Sequence, residues 1–330
     1  MVSSIAGPVG AQDTTQDNAS WQVSVWYPSS DHPGGYDSIL ANLDVIDEVN
    51  PFWYTPRPDG TLSVSQDFDP DKLAEWRAAD LTIVPTIVSF EQSVMIETPE
   101  LHTAHIAAIV DLVETMDYDG IEIDYEGFDL DTRDAFSTFI EDLATALHAQ
   151  DRVLAIAVHA KTADQGPGVW SAAAAQDWLR LAAAVDTFKI MTYDYSAGWS
   201  EAGPIGPPAW VLDVLAYATT VTDLEKVRLG LHFYGYSWQR GQKRPITWEA
   251  VTRWIDSFDL EIVRDPADME LSVTVVAQGL PRQDVYVADA VGLSYKLEQV
   301  LADYPELDGV CIWGLGGEDP ANWDVLRAYE

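Results

Sequence analysis

The amino-acid sequence predicts an α/β fold, a (β/α)8 barrel of the TIM type carrying a small α+β insertion between its seventh and eighth strands. Three observations lead there. The chain has 330 residues, enough for one large barrel domain and ample for a buried core. Eight short runs rich in Val, Ile, Phe and Tyr alternate with helical stretches. Several of those runs are almost continuously apolar, as strands of a parallel sheet covered on its outer face by helices must be.

In chain order, residues 1–20 are small and polar with no hydrophobic period and read as a flexible leader ahead of a barrel domain over 21–330. Ala6–Ala11 resembles the tail of an export signal, although a charged start and a full apolar stretch are missing. An extracellular or cell-surface location is the expectation that goes with it. Asn18-Ala19-Ser20 fits a glycosylation acceptor, which matters only in an exported protein. The predicted strands are Gln22–Tyr27, Glu48–Tyr54, Thr82–Ser89, Gly120–Tyr125, Val153–His159, Thr187–Tyr193, Val227–Tyr234 and Gly309–Trp313. Between them, Pro70–Ala79 opens with a capping Asp69 and a proline in its first turn. Leu101–Met116 places Ile106, Ile109, Val110 and Val113 on one stripe, and Thr132–Gln150 does the same with Phe136, Phe139, Ile140, Leu143 and Leu147. Ser171–Ala184 and Pro208–Thr219 read as further helices. The spacing breaks once, over about 239–289, where a helical stretch (Trp248–Asp256) and strand-like runs (Leu260–Val263, Leu271–Ala277, Val285–Ala288) are too much for a plain loop. This insertion is expected to wall a groove above the barrel mouth.

Composition narrows the function. The formal charge is −36, with 54 acidic against 18 basic residues, so nucleic acid and anionic membranes would be repelled. No run of about 18 apolar residues occurs, so no membrane-spanning helix is expected. Lysine is scarce beside arginine; this resembles proteins adapted to high salt, where screening over about 3 Å at about 1 M removes self-repulsion. An ordinary acidic secreted protein is the alternative. The single cysteine, Cys311, excludes a disulfide framework. A monomer is expected.

The chemistry concentrates in Asp119-Gly120-Ile121-Glu122-Ile123-Asp124-Tyr125-Glu126. Side chains alternate along a strand, so Glu122, Asp124 and Glu126 share one face, about 6.6 Å apart at Cα, and the isoleucines share the other. Three acids converging inside a barrel are costly unless protonated, paired or functional. Glu126 falls at the carboxyl end of the strand, the side on which barrel enzymes build their sites. A solvated acidic edge and a divalent-metal site are the competing readings; a single strand offers few converging oxygens for a metal, so none is expected.

This segment resembles the DGxDxDxE signature of glycoside hydrolase family 18, the chitinase-like enzymes. Lys189-Ile190-Met191-Thr192-Tyr193-Asp194 is similar to the family's MxYD on the sixth strand. Gly230-Leu231-His232-Phe233-Tyr234-Gly235-Tyr236-Ser237-Trp238 resembles its seventh-strand stretch, and Gly309-Val310-Cys311-Ile312-Trp313-Gly314 its last strand. Glu48-Val49-Asn50-Pro51-Phe52-Trp53-Tyr54 looks most like the spore-germination and cortex-lytic branch. The likeness spans roughly residues 22–326.

The resemblance implies a retaining glycosidase acting on β-linked N-acetylglucosamine glycans (chitin-type, peptidoglycan or N-glycan core), with no cofactor. The substrate's own acetamido group would be the nucleophile, through an oxazolinium ion, an exception to the usual two-carboxylate scheme. On the matching positions Glu126 is the general acid and then the base. Asp124 orients the acetamido group, Tyr193 hydrogen-bonds it, and Trp313 floors the sugar. Glu122, Asp119, Met191 and Asp194 support them. Tyr234, Trp238, Trp53 and Tyr54 join Trp313 as substrate-binding candidates, with Trp26 and Trp199 as further aromatics near strand ends. Anionic neighbours on the same strand are expected to keep Glu126 protonated near neutrality. Two positions depart from the family: Glu122 stands where Asp or Asn is usual, and His232 where Pro is common. His159 reads as a structural residue. The alternative function is a non-catalytic carbohydrate-binding protein on the same barrel, although such relatives typically lose the residue matching Glu126.

Overall fold

The computed structural model describes residues 21–28, 34–90, 94–166, 169–198, 200–276 and 281–329. The expected leader, its signal-like and glycosylation motifs, and Trp199 lie outside the described residues.

The eight predicted strands form a parallel ring. They are β1 (Gln22–Tyr27), β2 (Glu48–Pro51, resuming as Tyr54–Pro56), β3 (Thr82–Ile83 and Thr86–Ser89), β4 (Gly120–Tyr125), β5 (Val153–His159), β6 (Thr187–Met191), β7 (Val227–His232) and β8 (Gly309–Trp313). Each pairs with its sequence neighbour, and β8 pairs with both β7 and β1. The ring closes at its two broken strands: the first part of β3 pairs with the first part of β2, and its second part pairs with β4 and with Tyr54. β3 is interrupted at Val84-Pro85 because proline has no N–H for the ladder, yet the Pro85 carbonyl still accepts from Glu122 N at 2.9 Å.

Predicted helices form the outer layer with small changes at their ends. Asp69 caps Pro70–Ala78 by accepting from Asp71 N and Lys72 N. Arg133–His148 buries the predicted stripe of Phe136, Phe139, Ile140, Leu143 and Leu147. The single helix expected over 171–184 is two, Ser171–Ala175 and Trp178–Ala184. The chain turns inward at Gln176, whose side chain accepts from His159 N at 2.8 Å, and Asp177 caps the second piece.

The insertion is a four-stranded antiparallel sheet of Gly235–Gln239, Gln242–Ile246, Leu271–Val275 and Gln283–Val287, packed on helix Trp248–Phe258 around Val251, Val273 and Val285. Of the strand predicted over Leu260–Val263 only a bridge, Val263 to Ser272, is formed. Glu249 N donates to Gly317 O at 3.0 Å, fastening the insertion to the loop that follows β8, at the carboxyl rim of the barrel.

Candidate active site

Alternation along the strands divides the barrel interior into two polar layers. The lower one is built from charges that find partners. Lys189 on β6 is fully buried and lies 2.6 Å from Glu122, 2.8 Å from Glu48 and 2.7 Å from Asn50 Oδ1. Arg228 on β7 joins Glu48 at 2.9 Å and Asp308 at 2.6 Å. Glu122 also accepts from Trp26 Nε1 (2.5 Å) and Thr86 Oγ1 (2.9 Å). Burial alone would raise the Glu48 carboxyl, but Arg228 and Lys189 hold it at about 2. Glu122 is therefore an anchor of this network, its carboxylate meeting Lys189 of β6. Cys311 stands in the same region, its buried thiol pushed up to about 12, an inert state.

The upper layer holds Asp124 and Glu126, and here no lysine or arginine comes within ion-pair distance among the described residues. Glu126 N donates to Ser89 O at 2.8 Å, so the residue continues the ladder and keeps the inward face. Asp124 Oδ1 is buried with no hydrogen-bond partner among the described residues. Burial, then the charges of Glu126 and Glu122, push the Asp124 carboxyl well above its usual range. Glu126 rises to about 7, chiefly by burial and then by Asp194. Exclusion of water is thus the larger cause, and an acid beyond β6 adds its charge to the mutual repulsion of Asp124 and Glu126 on their own strand.

Asp194 sits where the chain turns left-handed (φ 60°) after β6. It accepts from Tyr234 (2.5 Å) and Tyr236 (2.9 Å) and lies 3.5 Å from Lys243 of the insertion. Gly314 makes room for this arrangement: its φ is 97°, and a Cβ there would lie 2.8 Å from the Tyr234 ring. Burial, then Asp124 and Glu126, raise the Tyr193 phenol well above its usual value, so it keeps its proton and remains a donor.

These groups line a cavity of about 820 Å3 at the carboxyl end of the barrel. Asp124, Glu126, Met191, Tyr193, Asp194, Tyr234 and Trp313 all face it, as do Trp26, Phe52 and Phe90, while Tyr236, Ile246 and Ala250 of the insertion close one side. Trp313 packs against Phe52 (5.3 Å between ring centroids) and edge-on to Trp26 (6.2 Å). A second cavity of about 430 Å3 shares Glu126, Met191, Tyr193 and Asp194 with the first.

Besides Glu122, four expected site residues lie away from the cavity. Trp53 is fully buried in the shell between sheet and helices, stacked on Trp76 at 5.6 Å. Tyr54 is buried beside it, hydrogen-bonded to Tyr118 at 2.7 Å. The strand period puts Phe52, in phase with Glu48 and Asn50, on the inner face. Asp119, at the opposite end of β4, accepts from Ile83 N at 2.7 Å and holds the broken strand. Trp238 stands one layer behind the wall, donating to Ala197 O and packing edge-on to Tyr236. Lys189, Phe52, Phe90 and Tyr236 were not anticipated; inward parity with Met191 was the available signal for Lys189. His159 does more than fill space: its Nδ1 is 3.4 Å from Glu126 Oε2, and burial lowers its imidazole to about 4, leaving it neutral. Among the described residues no group of three or more His, Cys, Asp or Glu is arranged to hold a metal ion, and no helix is long and apolar enough to cross a membrane.

A profile of the family Glycosyl hydrolases family 18 matches residues 72–316. A cortical fragment-lytic enzyme of Bacillus subtilis (strain 168) is 27% identical over 231 residues, 66% of this chain and 51% of that protein. The chain covers from 33% to 63% of the length of the curated relatives it matches. Among solved structures, a chitinase from Chromobacterium violaceum superposes with a TM-score of 0.84 at 23% identity, covering 93% of this chain and 98% of that one. The spore cortex-lytic enzyme SleL of Bacillus megaterium gives 0.82 at 17% identity, with 94% and 74% covered.

Proposed function

The chain belongs to Glycosyl hydrolases family 18, and from that premise we propose that it is a retaining glycosidase of β-linked N-acetylglucosamine glycans. One observation carries the reading: buried Asp124 and half-buried Glu126 share one strand face at the floor of an aromatic-lined cavity, with no lysine or arginine in ion-pair reach among the described residues. Two acids held this way cost stability, and a carboxyl held near 7 is suited to giving a proton at neutral pH.

Glu126 donates its proton to the glycosidic oxygen as the bond to C1 breaks. The substrate's acetamido oxygen closes onto C1, and the sugar departs on the other side as an alcohol carrying that proton. Asp124, whose Oδ1 is buried without a partner among the described residues, accepts from the N–H of the resulting oxazolinium, while Tyr193 donates to the acetamido group. Trp313 supplies the apolar floor under the ring. Glu126, now a carboxylate, takes a proton from the water that opens the oxazolinium, and the β configuration is restored. Chitin-type chains and peptidoglycan strands are the substrate candidates.

The test is Glu126→Gln assayed on chitin oligomers and on peptidoglycan glycan strands. Hydrolysis falls by about 10²–10⁴-fold while oligosaccharide affinity stays near that of wild type, and the first product seen by NMR is the β anomer. A wild-type protein that binds these glycans as tightly as the variant and turns over none of them is a carbohydrate-binding module instead.

A further inference from the structure

His159 touches the carboxyl of Glu126 and has no part in the steps given under Proposed function. The residue is buried and meets Glu126 twice. Its Nε2 lies 3.4 Å from the Glu126 backbone oxygen, and its Nδ1 lies 3.4 Å from Oε2 of the carboxyl. A carbonyl oxygen can only accept, so the hydrogen of this neutral imidazole belongs on Nε2. Nδ1 is then a lone pair facing Oε2. A carboxylate oxygen repels that lone pair and a carboxyl O–H donates to it, so the contact is favourable in one protonation state only. We propose that His159 is a positioning residue for the general acid: its Nδ1 accepts from the Glu126 O–H, keeps the proton on the carboxyl of the free enzyme, and yields it when a glycosidic oxygen competes. This rests on the reading given under Proposed function and adds how the acid is held loaded. His159 itself makes and breaks no covalent bond. The proton passes from Glu126 to the leaving oxygen and is replaced from water. Between those steps the carboxylate faces the Nδ1 lone pair, which favours its taking a proton back.

The break in the helix expected over 171–184 has its reason here. Gln176 is buried between two strand ends: its Oε1 accepts from His159 N at 2.8 Å and its Nε2 donates to Tyr125 O at 3.5 Å. One amide thus ties the backbone of His159 to that of the residue before Glu126. In an unbroken helix the Gln176 carbonyl would accept from Arg180 N. Asp177 Oδ1 takes that donor at 3.3 Å, which frees Gln176 O for Lys161 Nζ at 2.6 Å. Trp170 lies against the imidazole, 4.6 Å between ring centroids. Among the described residues Glu126 is the one charged partner of His159 within ion-pair distance. Lys161, Tyr193, Asp194 and Tyr195 are the remaining titratable groups lining the cavity it borders. Burial holds the imidazole at about 4, so it stays neutral across the range in which Glu126, at about 7, gives up its proton.

The experiment is the pH profile of kcat/KM on chitin oligomers for wild type, His159→Phe and His159→Asn, together with 15N NMR of the histidine rings in the unliganded wild type. Phenylalanine keeps a ring against Trp170 and offers no acceptor. A hydrogen bond of ordinary strength shifts its carboxyl by about one pH unit. The alkaline limb of His159→Phe therefore moves about one unit toward acid, and kcat/KM at pH 8 falls about tenfold while KM is unchanged. His159→Asn, whose amide oxygen can stand in for Nδ1, keeps the limb near that of wild type although it loses the ring. A residue that only fills space gives the reverse order. In the spectra the His159 hydrogen is on Nε2, and the Nδ1 resonance moves as Glu126 loses its proton near pH 7. A limb unmoved in His159→Phe, or a hydrogen found on Nδ1, overturns the inference while hydrolysis itself stands. The spectra are read on wild type, so this outcome does not depend on either variant folding. A wild type inert on every N-acetylated glycan overturns the proposed function and the positioning role with it.

Discussion

Glu122 and Asp124 are two residues apart on one strand, on one face, and both are buried, yet they stand in opposite electrostatic situations. In the lower layer every acid has a cation: Glu122 and Glu48 meet Lys189, and Arg228 completes the set. In the upper layer Asp124 and Glu126 have only each other, Asp194 and a neutral imidazole. Desolvation is shared by both layers, so the partner decides the outcome: Glu48 is held at about 2 and Glu126 is lifted to about 7. The lower layer is scaffold. The upper layer keeps its proton, and a proton kept near neutrality is what a general acid has to offer.

The comparison breaks most visibly at Lys189. Lys189→Met leaves Glu122 and Glu48 buried without their shared cation and should cost about 3–5 kcal/mol in denaturant unfolding, because uncompensated charge remains behind. A loss below about 1 kcal/mol would put the lower layer on the same footing as the upper. Trp53→Ala sharpens the contrast between inner and outer faces of the same strands. It should cost about 3–5 kcal/mol of stability and leave KM for oligosaccharides unchanged, whereas a groove residue would move KM first.

The two layers also predict opposite dependence on pH. Glu126 carries a folded value of about 7 against an ordinary 4.5, so its contribution is present below about 4.5 and is lost as pH rises through 7. Glu126→Gln should therefore melt higher than wild type at pH 8, by up to about 3 kcal/mol, with the difference vanishing near pH 4. Glu48 has its folded value below its ordinary one. Its contribution is present above about 4.5 and is lost as pH falls through 2, equally in both proteins. The smallest effect is that of salt. Raising NaCl to about 1 M shortens the screening length to about 3 Å and should raise Tm by a few degrees, worth about 1 kcal/mol, through relief of repulsion in a chain of net charge −36. The buried Lys189 pairs contribute nothing to that rise, so Lys189→Met should show the same increment.

Much of this was legible in the sequence, for identifiable reasons. A strand period of two fixes which face Glu122, Asp124 and Glu126 share, and the runs around Met191, Tyr193, Asp194, Tyr234 and Trp313 sit at the carboxyl ends where the cavity forms. Aromatic type groups Trp53 and Tyr54 with the groove, but the backbone does not: β2 breaks after Pro51, Phe52 stays inward, and its neighbours turn to the helical shell. Lys189 and Arg228 were not recognised as partners because ion pairs across a barrel join residues 141 and 180 positions apart, a separation no local pattern encodes. Asp194 as the charge that lifts Glu126 was hidden for the same reason. His159 looked ordinary in the sequence and touches the central carboxyl in the fold.

The most direct test of the central claim is the pH dependence of kcat/KM for an N-acetylated oligosaccharide. Asp124 and Glu126 are close enough to titrate as a pair, so the limb reports both. Activity should hold through the acid side and fall on an alkaline limb centred near pH 7, as the upper layer loses the proton it must deliver. A profile falling near pH 4.5, or flat to pH 9, would show that this proton is not held where the two layers require it.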